Sequence, residues 1–169
     1  MRTQPAKTER APGTVAEHEV MRAIVQDVYG SADRLRLAEI DKPVIAAGEV
    51  LVRVRAAGVD RGTCHLMRGE PYLMRILGFG FRGPKNRVPG LDVAGTVAAA
   101  GGDVSRFKAG DEVYGISRGS FAEYAAARED KLVRKPAGLS PEQAAVVAVS
   151  GSPPCRACAP GALQPGRRS

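Results

Sequence analysis

Long apolar runs, paired cysteines and histidines are what this 169-residue chain has least of. No segment approaches the ~18 to 20 consecutive apolar residues of a membrane-spanning helix, so no membrane partner is expected. Arg2 and Lys7 lie near the N-terminus, but no apolar stretch follows them as it would in a secretory signal. The cysteines number three, and only Cys155 and Cys158 are close together. That is no disulfide framework of the kind that staples small secreted domains. A reducing compartment and a cytoplasmic setting are therefore expected. Histidines number two, His18 and His65, which leaves few metal donors. His65 stands beside Cys64, and adjacent ligands rarely close a tetrahedral zinc site.

A broad basic face is also missing, despite a formal net charge of +7. In residues 1–20, Arg2, Lys7 and Arg10 balance Glu9, Glu17 and Glu19. Much of the excess falls in residues 68–87, where Arg68, Arg75, Arg82, Lys85 and Arg87 face only Glu70. Arg156, Arg167 and Arg168 add the rest near the C-terminus. Tyr72, Phe79 and Phe81 are interleaved with the internal cluster, a pairing that can stack on and neutralise single-stranded nucleic acid. One reading is thus a non-catalytic module that binds a protein or nucleic-acid partner through residues 68–87. Scattered aromatic and basic residues are common in loops, so nucleic acid is not the expected partner.

The pattern G-x-G-x-x-G occurs at Gly78, Gly80 and Gly83. In a dinucleotide fingerprint these glycines follow a strand and open a helix whose amides meet the pyrophosphate. Pro84 and Pro89 bracket the residues that follow, so no helix opens and a surface loop is expected instead.

What is present is a series of short segments. "MRAIVQDV", "DRLRLAEI", "EVLVRVRAAG", "DVAGTVAAAG", "DEVYGI", "FAEYAAA" and "KLVRK" are rich in β-branched or small apolar residues and are separated by Gly, Asp and Pro. In the third, Val50, Val52 and Val54 alternate with Arg53 and Arg55, placing one face in a core and the other in water. Seven short strands at this spacing argue for a mainly β barrel or sandwich rather than a doubly wound sheet. Asp60 suits the N-cap of a short helix that ends at Gly69. A second helix is signalled at "LSPEQAAVVAV": Ser140 at the N-cap, Pro141 at the first helical position and Gln143 completing a capping box.

The ordered motifs "EVLVRVRAAGVDRGTCHLMRG", "VPGLDVAGTVAAAGGDVSRFKAGDEVYG", "GSFAEYAAARED" and "KPAGLSPEQAA" resemble the N-terminal GroES-like domain of the medium-chain dehydrogenase/reductase superfamily. The similarity is greatest to its zinc-free, quinone-oxidoreductase-like branch of NAD(P)-dependent alcohol dehydrogenases, and covers about residues 21–151. It implies a partly open β-barrel at residues 21–136, preceded by a disordered leader at 1–20 and followed by the start of a linking helix at 137–151. The implied chemistry is hydride transfer from NADPH or NADH to a quinone, enone or other carbonyl compound. The oligomeric state stays open, homo-oligomers included.

Zinc-dependent relatives carry a ligand cysteine after "AAGV" and a Gly-His-Glu; here Asp60 and the sequence Gly90-Leu91-Asp92 stand at those places. No zinc is therefore expected. The resemblance nominates Asp60 as a polar residue facing cofactor or substrate, and His65 as a hydrogen-bond donor in the substrate cleft. The same residues read structurally as a helix N-cap and a half-exposed helix histidine.

In the family the second helix leads into a Rossmann domain that holds the nicotinamide. Residues 152–169 contain four prolines and one leucine, with no Val, Ile, Phe or Tyr, a composition that builds no core element. Cys155 and Cys158 in this tail lack the helix N-terminus or cationic pocket that activates a redox dithiol. Read out of register, with Arg156 encoded by AGG and suitable wobble bases, "PPCRAC" would give codons for Thr or Ala followed by Leu-Gln-Gly-Leu, close to the family's continuation. The tail is accordingly expected to be an out-of-frame, unstructured translation, and the chain to be inactive alone.

Overall fold

A computed structural model describes residues 19–70 and 83–147. Most of the expected leader, His18, residues 71–82 with most of the G-x-G-x-x-G loop, and the tail with Cys155 and Cys158 lie outside the described residues.

All seven expected strands are present: β1 Val20–Gln26, β2 Leu35–Asp41, β3 Glu49–Ala57, β4 Asp92–Ala100, β5 Glu112–Ile116, β6 Tyr124–Arg128 and β7 Leu132–Arg134. They form an antiparallel five-stranded sheet in the order β6-β3-β4-β5-β7 and a two-stranded sheet of β1 and β2. Residues 117–123 tie the sheets together. Ile24 N donates to Phe121 O at 2.8 Å, Glu123 N to Arg22 O at 3.1 Å, and Val54 N to Glu123 O at 2.9 Å. The Arg22 guanidinium also pairs with the Glu123 carboxylate at 2.9 Å. The result is the partly open, mainly β barrel that the motifs imply.

Val52 is opposite Val97 on one side and Ala125 on the other. Around it Val50, Val93, Phe107, Val113 and Leu132 close the main core. The alternation in β3 is less strict than its sequence implies, because Leu51 is buried together with Val50 and Val52. The register with β6 runs unbroken from Glu49 to Arg53, and the irregularity opposite Leu51 and Val52 falls in β4, where Ala98 is skipped, so Val50 and Val52 still face the main core while Leu51, on the opposite face, is covered as well.

Among the described residues two α-helices complete the fold, α1 Arg61–Arg68 and α2 Pro141–Val147. The capping box of α2 forms as expected, with Gln143 N donating to Ser140 Oγ at 3.2 Å and Ser140 N to Gln143 Oε1 at 3.0 Å. Ala144 and Ala145 then seat α2 on Ala94 and Tyr114 of the sheet. Among the described residues no helix is long and apolar enough to cross a membrane.

Candidate functional site

The site begins with α1. Asp60 caps it, accepting from Gly62 N at 3.0 Å and Thr63 N at 2.7 Å. Burial pushes the Asp60 carboxyl up, but the Thr63 hydroxyl and the two amides outweigh it and hold the group below the usual carboxylate range. At the other end Gly69 adopts φ 66°, ψ 38°, a left-handed conformation that glycine reaches without a Cβ penalty. Glu70 N donates to His65 O and Gly69 N to Leu66 O, the paired closure of a Schellman motif.

With both ends fixed, Thr63, Leu66 and Met67 share one face through i, i+3, i+4 spacing. That face forms one wall of a cleft of about 330 Å³. The facing wall is the irregular run from Pro84 to Leu91, with Lys85, Asn86, Val88 and Gly90 among its lining residues. Backbone bonds hold this run in place: Gln26 N donates to Arg87 O at 2.7 Å, Phe121 N to Pro89 O at 3.1 Å and Ser117 N to Leu91 O at 2.8 Å. Gln26, Tyr29 and Arg118 complete the lining.

A cleft of this size, apolar in its walls with a few polar groups, suits a small ring-sized organic molecule. Leu66, Met67, Val88 and Leu91 supply apolar surface, while Tyr29, Lys85 and Asn86 supply hydrogen-bonding groups.

The structure separates the two nominated residues from this lining. Both carboxylate oxygens of Asp60 cap the helix. His65 is on the exposed side of α1, with Nδ1 4.0 Å from a Glu70 carboxylate oxygen and a side chain 53% exposed. Cys64 beside it is also exposed. Among the described residues, no three of His, Cys, Asp and Glu converge where they would hold a metal ion. Leu91, where the resemblance leads a histidine to be looked for, lines the cleft.

Apart from Lys85 of the basic cluster, sequence reasoning nominated none of the side chains that line it. Thr63, Leu66 and Met67 were legible as one face of a capped helix, whereas Gln26 and Tyr29 carried no signal, because they reach α1 only through the fold. The described part of the basic cluster is partly neutralised. Arg87 Nε donates to Asp27 Oδ1 at 2.7 Å, and Arg36 joins the same carboxylate at 2.9 Å. Those two guanidinium groups, Arg36 first, hold the Asp27 carboxyl below its ordinary range.

Residues 46–137 match the alcohol dehydrogenase GroES-like domain family. A quinone oxidoreductase of Sus scrofa is 32% identical over 134 residues, which is 78% of this chain and 38% of that protein. An NADPH-dependent alkenal/one oxidoreductase, chloroplastic, of Arabidopsis thaliana is 35% identical over 139 residues, covering 74% of this chain and 33% of the relative. The solved quinone oxidoreductase from Coxiella burnetii superposes with a TM-score of 0.70 at 28% identity, over 79% of this chain and 42% of the other. The chain thus spans well under half the length of these relatives. With the family match, the seven-stranded barrel and the ordered motifs in agreement, the chain belongs to the quinone-oxidoreductase-like branch of the medium-chain dehydrogenase/reductase superfamily and carries its N-terminal GroES-like domain.

Proposed function

We propose that this chain forms the substrate-binding half of a zinc-free, NAD(P)H-dependent reductase of quinones, enones or other carbonyl compounds, and that its barrel performs no reduction alone. The observation that carries this reading is the apolar cleft between α1 and the run from Pro84 to Leu91. The Sus scrofa quinone oxidoreductase and the Arabidopsis alkenal/one oxidoreductase support the substrate class. A cytoplasmic setting belongs to the same reading.

A nicotinamide supplies hydride when bound, but the described residues do not fit its pyrophosphate. Such a group docks on open amides at a helix N-terminus. Here the amides of Gly62 and Thr63 are taken by Asp60, and that of Gln143 by Ser140. The part left to the barrel is binding and orientation. Leu66, Met67 and Val88 exclude water from a flat substrate, and Tyr29 and Asn86 offer hydrogen bonds to its oxygen. Asp60 is a positioning residue that holds α1, and His65, on the outer side of the helix, is assigned no contact with a substrate in the cleft. The zinc-free reading is supported by Asp60 spending both oxygens on the cap and by Leu91 having no donor atom.

Calorimetric titration of the 169-residue chain with NADPH tests this division of labour. No binding is expected at concentrations on the order of 0.1 mM; micromolar affinity would overturn it.

A further inference from the structure

Gln26 is a buried polar side chain, 2% exposed, at the end of β1. Its Nε2 donates to two backbone carbonyls at once, Val28 O at 2.9 Å and Met67 O at 2.7 Å. The Met67 carbonyl also accepts the Gly30 amide at 3.1 Å. One amide thus bonds the loop after β1, which carries Tyr29, to the last turn of α1, which carries Met67. Both Tyr29 and Met67 line the cleft, and Gln26 lines it too.

The two bonds also fix the orientation of the amide. Two carbonyl acceptors require the NH₂ end, which has two donors, and no other uncharged side chain of this length offers a pair. The Met67 carbonyl lies in the last turn of α1, where helix carbonyls have no intrahelical partner and need one from outside. Asparagine is one methylene too short to keep this reach, and a leucine would leave the Val28 carbonyl without its donor.

From this geometry we propose that Gln26 is a positioning residue for the cleft: its amide sets the distance between the Tyr29 loop and α1, and so the width available to a substrate. This rests on the proposed reading of the cleft as a substrate site, and goes beyond it by naming the group that sets its dimensions.

The test uses Gln26→Leu and Gln26→Glu in the full chain, with the protection of the Gly30 amide measured by NMR hydrogen exchange against Val52 in the main sheet. Gln26→Leu is expected to lower Gly30 protection roughly tenfold, since losing a buried partner exposes the carbonyls it satisfied, and to leave Val52 unchanged. Gln26→Glu supplies a rescue that a merely space-filling role would not show. A protonated carboxyl still donates to the Met67 carbonyl, whereas an ionised one repels it; burial at this 2% exposed position raises a carboxyl above its ordinary value, so protection is expected near pH 5 and lost by about pH 8. Asp27 beside it, and Tyr29, Glu70, Lys85 and Arg118 around the cleft, are common to the unaltered chain, which is titrated in parallel.

Duroquinone, whose fully substituted ring does not add the Cys64 thiol, is the ligand probe. Its dissociation constant is expected to rise roughly tenfold in Gln26→Leu, and in Gln26→Glu to follow the same pH course as Gly30 protection. Unchanged Gly30 protection in Gln26→Leu, or a Gln26→Glu chain that tracks the unaltered one at both pH values, would overturn the inference. So would loss of protection with duroquinone affinity unchanged. Failure of the unaltered chain to bind duroquinone would count against the substrate reading, while the Gly30 result decides the clamp by itself.

Discussion

Gly90 packs directly beneath Ser120: its carbonyl accepts the Ser120 amide at 3.2 Å and the Gly119 amide at 3.1 Å, and its α-carbon faces the Ser120 hydroxyl. With φ at +92°, Gly90 occupies a conformation that side chains rarely adopt, and a methyl there would overlap the Ser120 hydroxyl and the Phe121 ring. Because Gly90 also lines the cleft, the strain would fall on its wall. Gly90→Ala is expected to cost about 2 kcal/mol or more in urea denaturation. A neutral result would show that the run from Pro84 to Leu91 is free to shift.

Asp60 makes a second prediction, in two parts. Removing the cap with Asp60→Ala is expected to cost about 1 kcal/mol, and Asp60→Asn much less, because asparagine caps nearly as well. The carboxyl is held below its ordinary value in the folded chain, so its contribution is complete above the unfolded value of about 3.9 and is lost as pH falls through the lower folded value. Thermal denaturation at a series of pH values should show the Asp60→Asn chain losing less stability than the unaltered chain below about pH 4. Parallel curves would remove the electrostatic part of the cap.

Much of the fold was legible in the sequence because its signals are local. Asp60 and Gly69 bound a helix, Ser140 and Gln143 cap another, and Gly110-Asp111 turns between strands, with Lys108 N donating to the Asp111 carboxylate at 3.0 Å. The site was less legible because its contacts are not local. Gln26 finds Met67 forty-one residues away, and a glutamine ending a strand looks like any surface residue until the helix is placed over it. His65 drew notice as a histidine, a matter of residue type, whereas its neighbours Leu66 and Met67 face the cleft by helical phase. The burial of Leu51 was hidden for the same kind of reason, since what covers the second face of β3 is set by the fold and not by the alternation within the strand.

The seat of α2 gives a third prediction. Ala144 is fully buried against Ala94 and Tyr114, while Val146 two residues on is 58% exposed. Ala144→Leu is therefore expected to destabilise by about 1 to 3 kcal/mol through overpacking, and Val146→Ser to change stability by less than about 0.5 kcal/mol. Chemical denaturation of the two variants checks the contrast; equal effects would mean that α2 packs on a different face.

Zinc offers a fourth. A metal bound by the native state alone raises the melting temperature with its concentration. One equivalent of Zn²⁺ is expected to leave the melting temperature of the chain unchanged, as is its removal by chelation. A saturable rise on adding zinc would contradict the zinc-free reading.

The most direct measurement is a duroquinone titration of chain labelled with ¹³C-methyl methionine. Met67 lines the cleft, whereas Met21 is buried in β1 and is not among the lining residues. The expected result is a saturable shift of the Met67 methyl without one at Met21, accompanied by shifts of the Lys85 and Asn86 amides and obtained with no nicotinamide present. A Met67 methyl that stays fixed while other parts of the chain respond, or no saturable response at all, would contradict the assignment of this barrel as the substrate-binding half of a reductase.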